Sequence, residues 1–599
     1  MMRVVAQQEV KAPQAWPLFL IAMFMLSLVF SALTPPFQAP DEFDHVKRAY
    51  MLGQGRILLD SVNGSPSGGE VDNGLLQYME SFVPIKGVAA RKMSSDELLN
   101  AGGVKWQGAS TFQTPVGTAY YFPLMYAPQA MGLAVGKALD MSVAKSYRLA
   151  RAFSLFVSML LLALAFRLYR PSAAVLAILA LPMTLFLFGS AVLDPMSTAV
   201  AIVAVAAFMR ISVDREATAP WVFNVFAASV LLVCACRANM LPLLLLPFVA
   251  WWFVRDRRLL YVAIGVAVFA LAWTLFTVKT TVYPPNPGRG DHAARLLHLL
   301  THPGELFGIL FATWTDRGRM SFYAVSFLGV LGWLDTPFGV SFYRAMGVAL
   351  AAISLLSISI EGWRENAQAR IALIVVSLSA VLMTFLALLV QWTDPTSPTV
   401  DGVQGRYLVI PAICLLYALT TEARPRADIR FYATHALLAL FLCVGAYATA
   451  SILVQRYHTA AAQPELPMEE LKPSPGLTRE DAVELHLLPA QEEDPEVLTS
   501  IAVRFGTYMT QHAGQAKLRM WTDSGEATEI PFELSELVDN EYREFPLDGK
   551  RYVGGEIKSI SGDGVSVWES RDQEDTATSC VLLKTAESKV RLPRACPRP

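Results

Sequence analysis

The chain has 599 residues, 54% of them hydrophobic and only 17% charged, with a formal net charge of -2. So apolar a composition excludes an ordinary soluble protein of this length. The near-neutral balance removes the global positive footprint that a nucleic-acid partner requires.

From the N-terminus onward, apolar runs long enough to cross a bilayer recur through the first three quarters of the sequence. They predict about eleven transmembrane helices, near residues 16–33, 149–168, 172–190, 195–211, 220–236, 239–254, 259–278, 340–359, 370–391, 405–421 and 432–454. The first run follows Arg3 and Lys11, as a signal peptide would. It lacks a small-x-small cleavage site and leads into Thr34-Pro35-Pro36, so it reads as a retained helix. With the N-terminus in the cytoplasm, the inner loops carry Arg167 and Arg170, Arg210 and Arg215, Arg255 to Arg258, Arg364 and Arg370, and Arg424, Arg426 and Arg430. The opposite short loops are nearly free of cations, as the positive-inside rule predicts, and an odd number of spans sends the C-terminus outside.

Three regions follow: a transmembrane domain over 1–456, a linker rich in Pro and Glu over 457–476, and an extracytoplasmic all-β domain over 477–599. Two long loops, 34–148 and 279–339, fall on the outer face, and loops of that length are normally functional. The C-terminal region alternates like strands at Ile501-Ala502-Val503-Arg504-Phe505, Lys517-Leu518-Arg519-Met520-Trp521 and Val565-Ser566-Val567-Trp568, which predicts a β-sandwich-like fold. Cys580 and Cys596, if outside, can close a terminal hairpin as a disulfide. Cys234 and Cys236 lie two apart in an apolar helix with no second pair and read as packing residues.

The densest candidate for chemistry opens the first outer loop. Asp41, Glu42, Asp44 and His45 stand within five residues, behind Pro35, Pro36 and Pro40 and directly past the membrane boundary. Asp41, Glu42 or His45 can accept a proton from a hydroxyl, because partial desolvation moves these groups toward neutrality. The same residues also suit a helix start, with Asp41 as N-cap. Arg237 and Arg406 lie at the outer ends of spans, where a guanidinium either holds a lipid-borne phosphate in a bidentate grip or reaches for headgroups. Lys279, Arg317 and Arg319 are weaker candidates for the same task. His292, His298 and His302, with Asp291 and Glu305, lack the spacing of a metal site, so no metal ligand is assigned, although a divalent cation is compatible with the chemistry. Trp314, Phe322, Tyr323 and Trp333 read as interfacial belt aromatics.

Four ordered motifs carry a family resemblance: Pro35-Pro36-Phe37-Gln38-Ala39-Pro40-Asp41-Glu42 with His45 and Arg48-Ala49-Tyr50; Leu181-Pro182-Met183-Thr184-Leu185-Phe186 leading to Asp194-Pro195; Gly329-Val330-Leu331-Gly332-Trp333-Leu334-Asp335-Thr336; and Gly402-Val403-Gln404-Gly405-Arg406-Tyr407. Over roughly residues 15–455 the chain resembles the bacterial membrane proteins catalogued as domain of unknown function 2142, which are grouped with the GT-C glycosyltransferases. That pattern often has Asn-Pro or Asn-Asp where this chain has Asp194-Pro195, a departure that bears on Asp194. The resemblance implies a multi-pass protein of the bacterial cytoplasmic membrane that takes a sugar from a polyprenyl-phosphate carrier. It implies Asp41 or Glu42 as catalytic base and points to Asp335, Gln404, Arg406 and Tyr407 as site residues. The expected partners are a polyprenyl-phosphate-linked sugar donor, a cell-surface glycan or lipid acceptor, and the lipid bilayer. A transporter of lipid-linked glycan would need ionisable residues inside the spans or repeated halves. A membrane-anchored glycan-binding protein would need only its C-terminal domain.

Overall fold

A computed structural model describes residues 15–61, 66–88, 91–282, 292–393, 397–421, 429–459, 471–485, 497–508, 510–571, 577–585, 590–591 and 596. Arg3, Lys11, Asp291, Arg424, Arg426 and most of the linker lie outside the described residues. The chain divides into two compact units: residues 1–285, 323–387 and 403–466 form the first, and residues 286–322, 388–402 and 467–599 form the second.

The protein is a multi-pass membrane protein, but the described residues hold fewer complete spans than the hydropathy suggests. Six helices are long and apolar enough to cross a bilayer: Trp16–Leu33 (α1), Val143–Leu168, Asp194–Ala217, Arg257–Thr280, Ala367–Gln391 and Ile429–His458. Four shorter apolar stretches, Pro220–Cys236, Ala238–Val254, Val340–Leu356 and Gly405–Leu419, account for four more of the eleven expected spans. The expected span 172–190 is instead two seven-residue helices, Ala173–Leu179 and Pro182–Phe188, and every residue of both is buried. Proline lacks the N–H and its ring clashes with the preceding turn, so Pro182 starts a new helix rather than extending the old one. Each piece is about 10 Å long, far short of a bilayer core.

Packing separates the remaining helices. The window of Asp194–Ala217 is 89% buried, whereas that of Arg257–Thr280 is 17% buried. The first is a central helix and the second leaves most of its surface for lipid. Ser197, Thr198, Ala199, Ala201, Ala204, Ala206 and Ala207 are buried along the central helix, and such small residues let helix backbones approach closely where no hydrophobic force drives association.

The described residues of the expected loop 34–148 carry regular elements before Val143–Leu168 begins. Glu42–Gly53 (α2) is followed by Asn73–Glu80, Ser95–Gly103 and Ala127–Ala138, with Gly69–Asp72 paired antiparallel to Ser110–Gln113. The expected loop 279–339 likewise contains helices, His292–Thr301, Pro303–Thr315 and Arg317–Gly329.

The C-terminal strands correct the expectation of a β-sandwich-like domain. Among the described residues hydrogen bonding sorts them into two open sheets of seven and four strands, neither closed nor curled. Leu498–Gly506 branches the larger sheet, pairing antiparallel with Tyr542–Lys550, Val581–Thr585 and the start of Ser566–Arg571. Alternation in sequence marks the buried face of each strand but not its neighbours, which is why strand content was legible and sheet architecture was not. Cys580 and Cys596 form a disulfide. Cys234, Cys236 and Cys414 are free and buried, and Cys443 is free and exposed.

Candidate functional site

The site is built where α2 begins. Helix α1 stops at Leu33, and the proline-rich turn that follows brings the chain back through Phe37 and Asp41, both with left-handed backbones at φ 63° and 62°. A non-glycine residue there costs about 1–2 kcal/mol, so the surrounding structure must hold the turn. Asp41 occupies the N-cap position of α2, yet its side chain makes no capping bond. Arg406 Nη2 instead donates to Asp41 Oδ2 at 2.7 Å. The Asp41 side chain is 49% exposed and that of Arg406 is 3% exposed, so the carboxylate is open while the cation is fixed behind it. Arg406 Nε is buried with no hydrogen-bond acceptor among the described residues, a donor left over at the site.

The neighbouring Glu42 has the opposite environment. It is fully buried, and Oε1 accepts from the Tyr147 hydroxyl at 2.7 Å, from Arg151 Nε at 3.1 Å and from Ala191 N at 2.7 Å. Oε2 accepts from Arg151 Nη2 at 3.1 Å and from Ala39 N at 3.3 Å. Arg151 also donates to the carbonyls of Ser31, Thr34 and Pro35, which ties the proline turn to Val143–Leu168. Glu42 is therefore a clamp on the turn that displays Asp41.

A second ion pair lies beside the first. Arg237 Nη2 donates to Asp194 Oδ1 at 3.0 Å and Arg237 Nε donates to Ser197 Oγ at 3.0 Å. Asp194 is the first residue of its helix, where the partial positive charge of the N-terminus favours a carboxylate. Arg237 follows the last residue of Pro220–Cys236. The two pairs are one electrostatic cluster: Asp194 interacts with Arg237, Arg406 and His45, and Arg406 interacts with Tyr407, Asp41 and Asp194.

His45 completes the cluster from the first turn of α2. Its Nδ1 and the Tyr126 hydroxyl are hydrogen-bonded at 2.8 Å, and its ring lies nearly parallel to Tyr121 at 6.3 Å. Burial pushes its pKa down to about 4, against the opposing pull of Asp41 and Asp194, so the imidazole is neutral near pH 7. Asp44 shifts the other way. Burial raises its carboxyl to about 6, with Lys47 at 3.3 Å opposing.

The expected binding residues divide. Gly405 holds the Arg406 segment against Tyr323–Phe327: a Cβ there would lie 2.0 Å from Phe327 N, and Gly405 N donates to Ser326 Oγ at 2.9 Å. This close approach seats Arg406, Tyr407 and Gln404, whose Oε1 is buried with no hydrogen-bond donor among the described residues. Asp335 is engaged elsewhere. Its Oδ2 accepts from Arg456 Nε at 3.1 Å and Nη2 at 2.6 Å, and its Oδ1 accepts from Trp333 N and the Thr336 hydroxyl, both at 3.0 Å. Lys279 is exposed on the last turn of Arg257–Thr280. Arg317 and Arg319 belong to the second unit, where Arg319 pairs with Asp401 at 2.9 Å.

Sequence reasoning missed Arg151, Tyr147, Tyr126 and Arg456. Arg151 carried a signal, being a cation inside an apolar run, where a charge needs a partner. The tyrosines carried none. Among the described residues no group of three or more His, Cys, Asp or Glu side chains is placed to hold a metal ion. His298 pairs with Glu305 at 2.9 Å and its ring stacks on His302 at 4.2 Å, while His292 bonds the Val390 carbonyl at 3.0 Å.

Chemically, the cluster offers one open carboxylate, two arginines backed by carboxylates, and a neutral imidazole hydrogen-bonded to a tyrosine. No curated protein matches the sequence. The profile of a family of predicted membrane proteins matches residues 24–416, more than half of the chain and including Asp41, Asp194, Arg237 and Arg406, so the chain belongs to the family catalogued as domain of unknown function 2142.

Proposed function

We propose that the protein is a GT-C-type glycosyltransferase that moves a sugar from a polyprenyl-phosphate donor to a cell-surface glycan or lipid acceptor on the outer face of the cytoplasmic membrane. One observation carries the reading: of two adjacent carboxylates, Glu42 has all its bonding positions taken, while Asp41 is half exposed and rests on a buried arginine with a spare donor. Asp41 is the base and Glu42 its support. The acceptor hydroxyl gives its proton to Asp41 and its oxygen bonds to the anomeric carbon. The bond from that carbon to the phosphate oxygen breaks with its electron pair, and polyprenyl phosphate leaves as an anion. Attack opposite the leaving group inverts the anomeric carbon.

Arg406 and Arg237 suit the leaving phosphate because guanidinium groups bind phosphate oxygens in pairs and need no proton at the moment of cleavage. The leaving group is an anion, so a second carboxylate acting as general acid is unnecessary, unlike in glycosidases. His45 is neutral near pH 7, with its Nδ1 hydrogen-bonded to the Tyr126 hydroxyl at 2.8 Å, and adds no cation of its own beside the base. An outer position for this cluster is favoured by the arginine-bearing opposite loops, and the Cys580–Cys596 disulfide accords with an oxidising compartment for the C-terminal segment.

The test is transfer by the full chain reconstituted in liposomes, supplied with polyprenyl-phosphate sugars and envelope glycan. A positioned base is worth about 10²–10⁴-fold, so Asp41→Asn should lose transfer on that scale while remaining monodisperse. Wild-type turnover in that variant refutes the assignment. Sugar lipid crossing sealed vesicles with no new glycosidic bond would point to a transporter instead.

A further inference from the structure

Four largely buried arginines of the first unit each meet a carboxylate: Arg151 meets Glu42, Arg237 meets Asp194, Arg406 meets Asp41 and Arg456 meets Asp335. Arg370, also buried, donates to the carbonyls of Ala418 and Thr420 at the C-terminus of Val409–Leu419, where the helix dipole supplies partial negative charge. Arg48 breaks the pattern. It is 1% exposed, its Nη1 and Nη2 donate to the Arg56 and Ile57 carbonyls at 3.1 and 2.7 Å in the irregular stretch after α2, and its Nε has no acceptor among the described residues. The groups within its electrostatic reach are the Tyr126 hydroxyl and the Cys236 thiol, neither of them a carboxylate. Asp60, the acid in the adjoining stretch, is taken by Arg56 at 2.7 Å. A buried cation is costly without a counter-charge, and two carbonyls supply only part of one.

Arg48 lines a pocket together with Trp273, Thr277 and Thr280, from the last turns of the helix that leaves most of its surface for lipid. The Trp273 indole N–H is buried with no acceptor among the described residues, and its ring is held edge-on against Phe122 at 4.9 Å. Thr277 and Thr280 spend their hydroxyl protons on carbonyls of their own helix, so Arg48 and Trp273 are the strong donors on this wall. Ile57 and Leu58 also line the pocket and are exposed, as are Leu275, Phe276 and Val278 on the same helix turns. The interior takes a group of about 3 Å radius, the size of a phosphate tetrahedron. An unbalanced cation and a spare indole N–H thus meet at the end of a lipid-facing helix, the depth at which headgroups lie.

We propose that the Arg48 pocket binds the phosphate of an anionic phospholipid from the surrounding bilayer, with the Arg48 guanidinium as its counter-charge and the Trp273 indole as a second donor. The phosphate brings the negative charge that the protein leaves out, and a guanidinium suits phosphate oxygens. The exposed side chains of Ile57, Leu58 and the helix turns lie where the acyl chains would run. The site uses none of the residues assigned to the transferase and does not rest on that reading.

The experiment is native mass spectrometry of the full chain in detergent, titrated with dioleoyl phosphatidylglycerol or dioleoyl phosphatidylcholine. One phosphatidylglycerol should be held more tightly than phosphatidylcholine. Its affinity should fall about tenfold in Arg48→Gln and less in Arg48→Lys, which keeps the charge but loses the fork. Trp273→Phe keeps the ring on Phe122, removes the N–H and should also weaken binding, so the site can be judged even where Arg48→Gln fails to fold. Arg406→Gln should bind as wild type. Stabilisation by inorganic phosphate in wild type but not in Arg48→Gln, with no preferred lipid, would keep the anion pocket and name free phosphate as its source. Equal binding of the two lipids with no response to inorganic phosphate overturns the site, as does wild-type phosphatidylglycerol affinity in both Arg48→Gln and Trp273→Phe. Loss of the lipid in Arg406→Gln but not in Arg48→Gln would place the anion at the Asp41 cluster and overturn it as well.

Discussion

The network around Glu42 and the cluster around Asp41 grow from adjacent residues, yet one closes every bonding position and the other leaves a donor unused and a paired carboxylate half exposed. Burial decides the difference. A buried carboxylate is tolerated only when matched by charge and hydrogen bonds, and Arg151, Tyr147 and two backbone N–H groups supply that match. At half exposure, Asp41 needs no such enclosure and retains positions for a substrate. A site of this kind needs both: a rigid closed network to hold the strained turn, and an open one to react.

Four experiments break or sharpen the contrast. The largest effect is expected at Asp41, where Asn should cut transfer by about 10²–10⁴-fold and leave the thermal midpoint in detergent nearly unchanged. If that midpoint instead drops steeply, Asp41 is a second clamp. Arg151→Met should act in reverse on the fold, destabilising the chain by about 3–5 kcal/mol because it strands the Glu42 charge in an apolar surrounding. Thermal unfolding of the purified variant measures it, and a wild-type midpoint would show that Glu42 is not held as a charge.

The third test uses pH. The folded His45 pKa of about 4 lies below the ordinary 6.5, so the unfolded chain binds the extra proton between them and stability rises with pH across that window. Asp44 runs the other way: its folded value of about 6 lies above the ordinary 3.8, so stability falls as pH rises from 4 to 6. The two slopes nearly cancel in the wild type. Asp44→Asn should expose the His45 slope, losing about 2 kcal/mol on acidification from pH 6.5 to 4, and His45→Asn should expose the opposite one. Unfolding midpoints against pH give the signs, and parallel profiles for the two variants would contradict the assignment. The smallest effect is Tyr147→Phe, which removes one of five bonds to Glu42 and should cost about 1–2 kcal/mol of stability. A loss as large as that of Arg151→Met would make the hydroxyl, rather than the guanidinium, the anchor of the clamp.

Much of this was legible before folding. The proline turn with Asp41, Glu42 and His45 announced itself by density, and Arg237 and Arg406 stood out at the outer ends of spans, but their pairing with Asp194 and Asp41 emerged only in the fold. The division of labour between Asp41 and Glu42 was not legible. Nothing in the local sequence says that Tyr147 and Arg151, on another helix, reach one carboxylate and not the other. Asp335 misleads in the same way, since a motif acid reads as reactive until Arg456 is seen to occupy it. The span 172–190 failed because apolar length was weighed above Pro182.

The amino-acid sequence by itself determined that this is a multi-pass membrane protein, where its apolar runs lie and where its acids cluster, because hydropathy, proline and charge act on neighbouring residues. Tertiary structure alone decided which runs form full-length helices, how the C-terminal strands divide between two open sheets, and which of two adjacent carboxylates stays open. Those outcomes depend on side chains brought together from distant segments, where desolvation and hydrogen-bond satisfaction are settled only once the chain has folded.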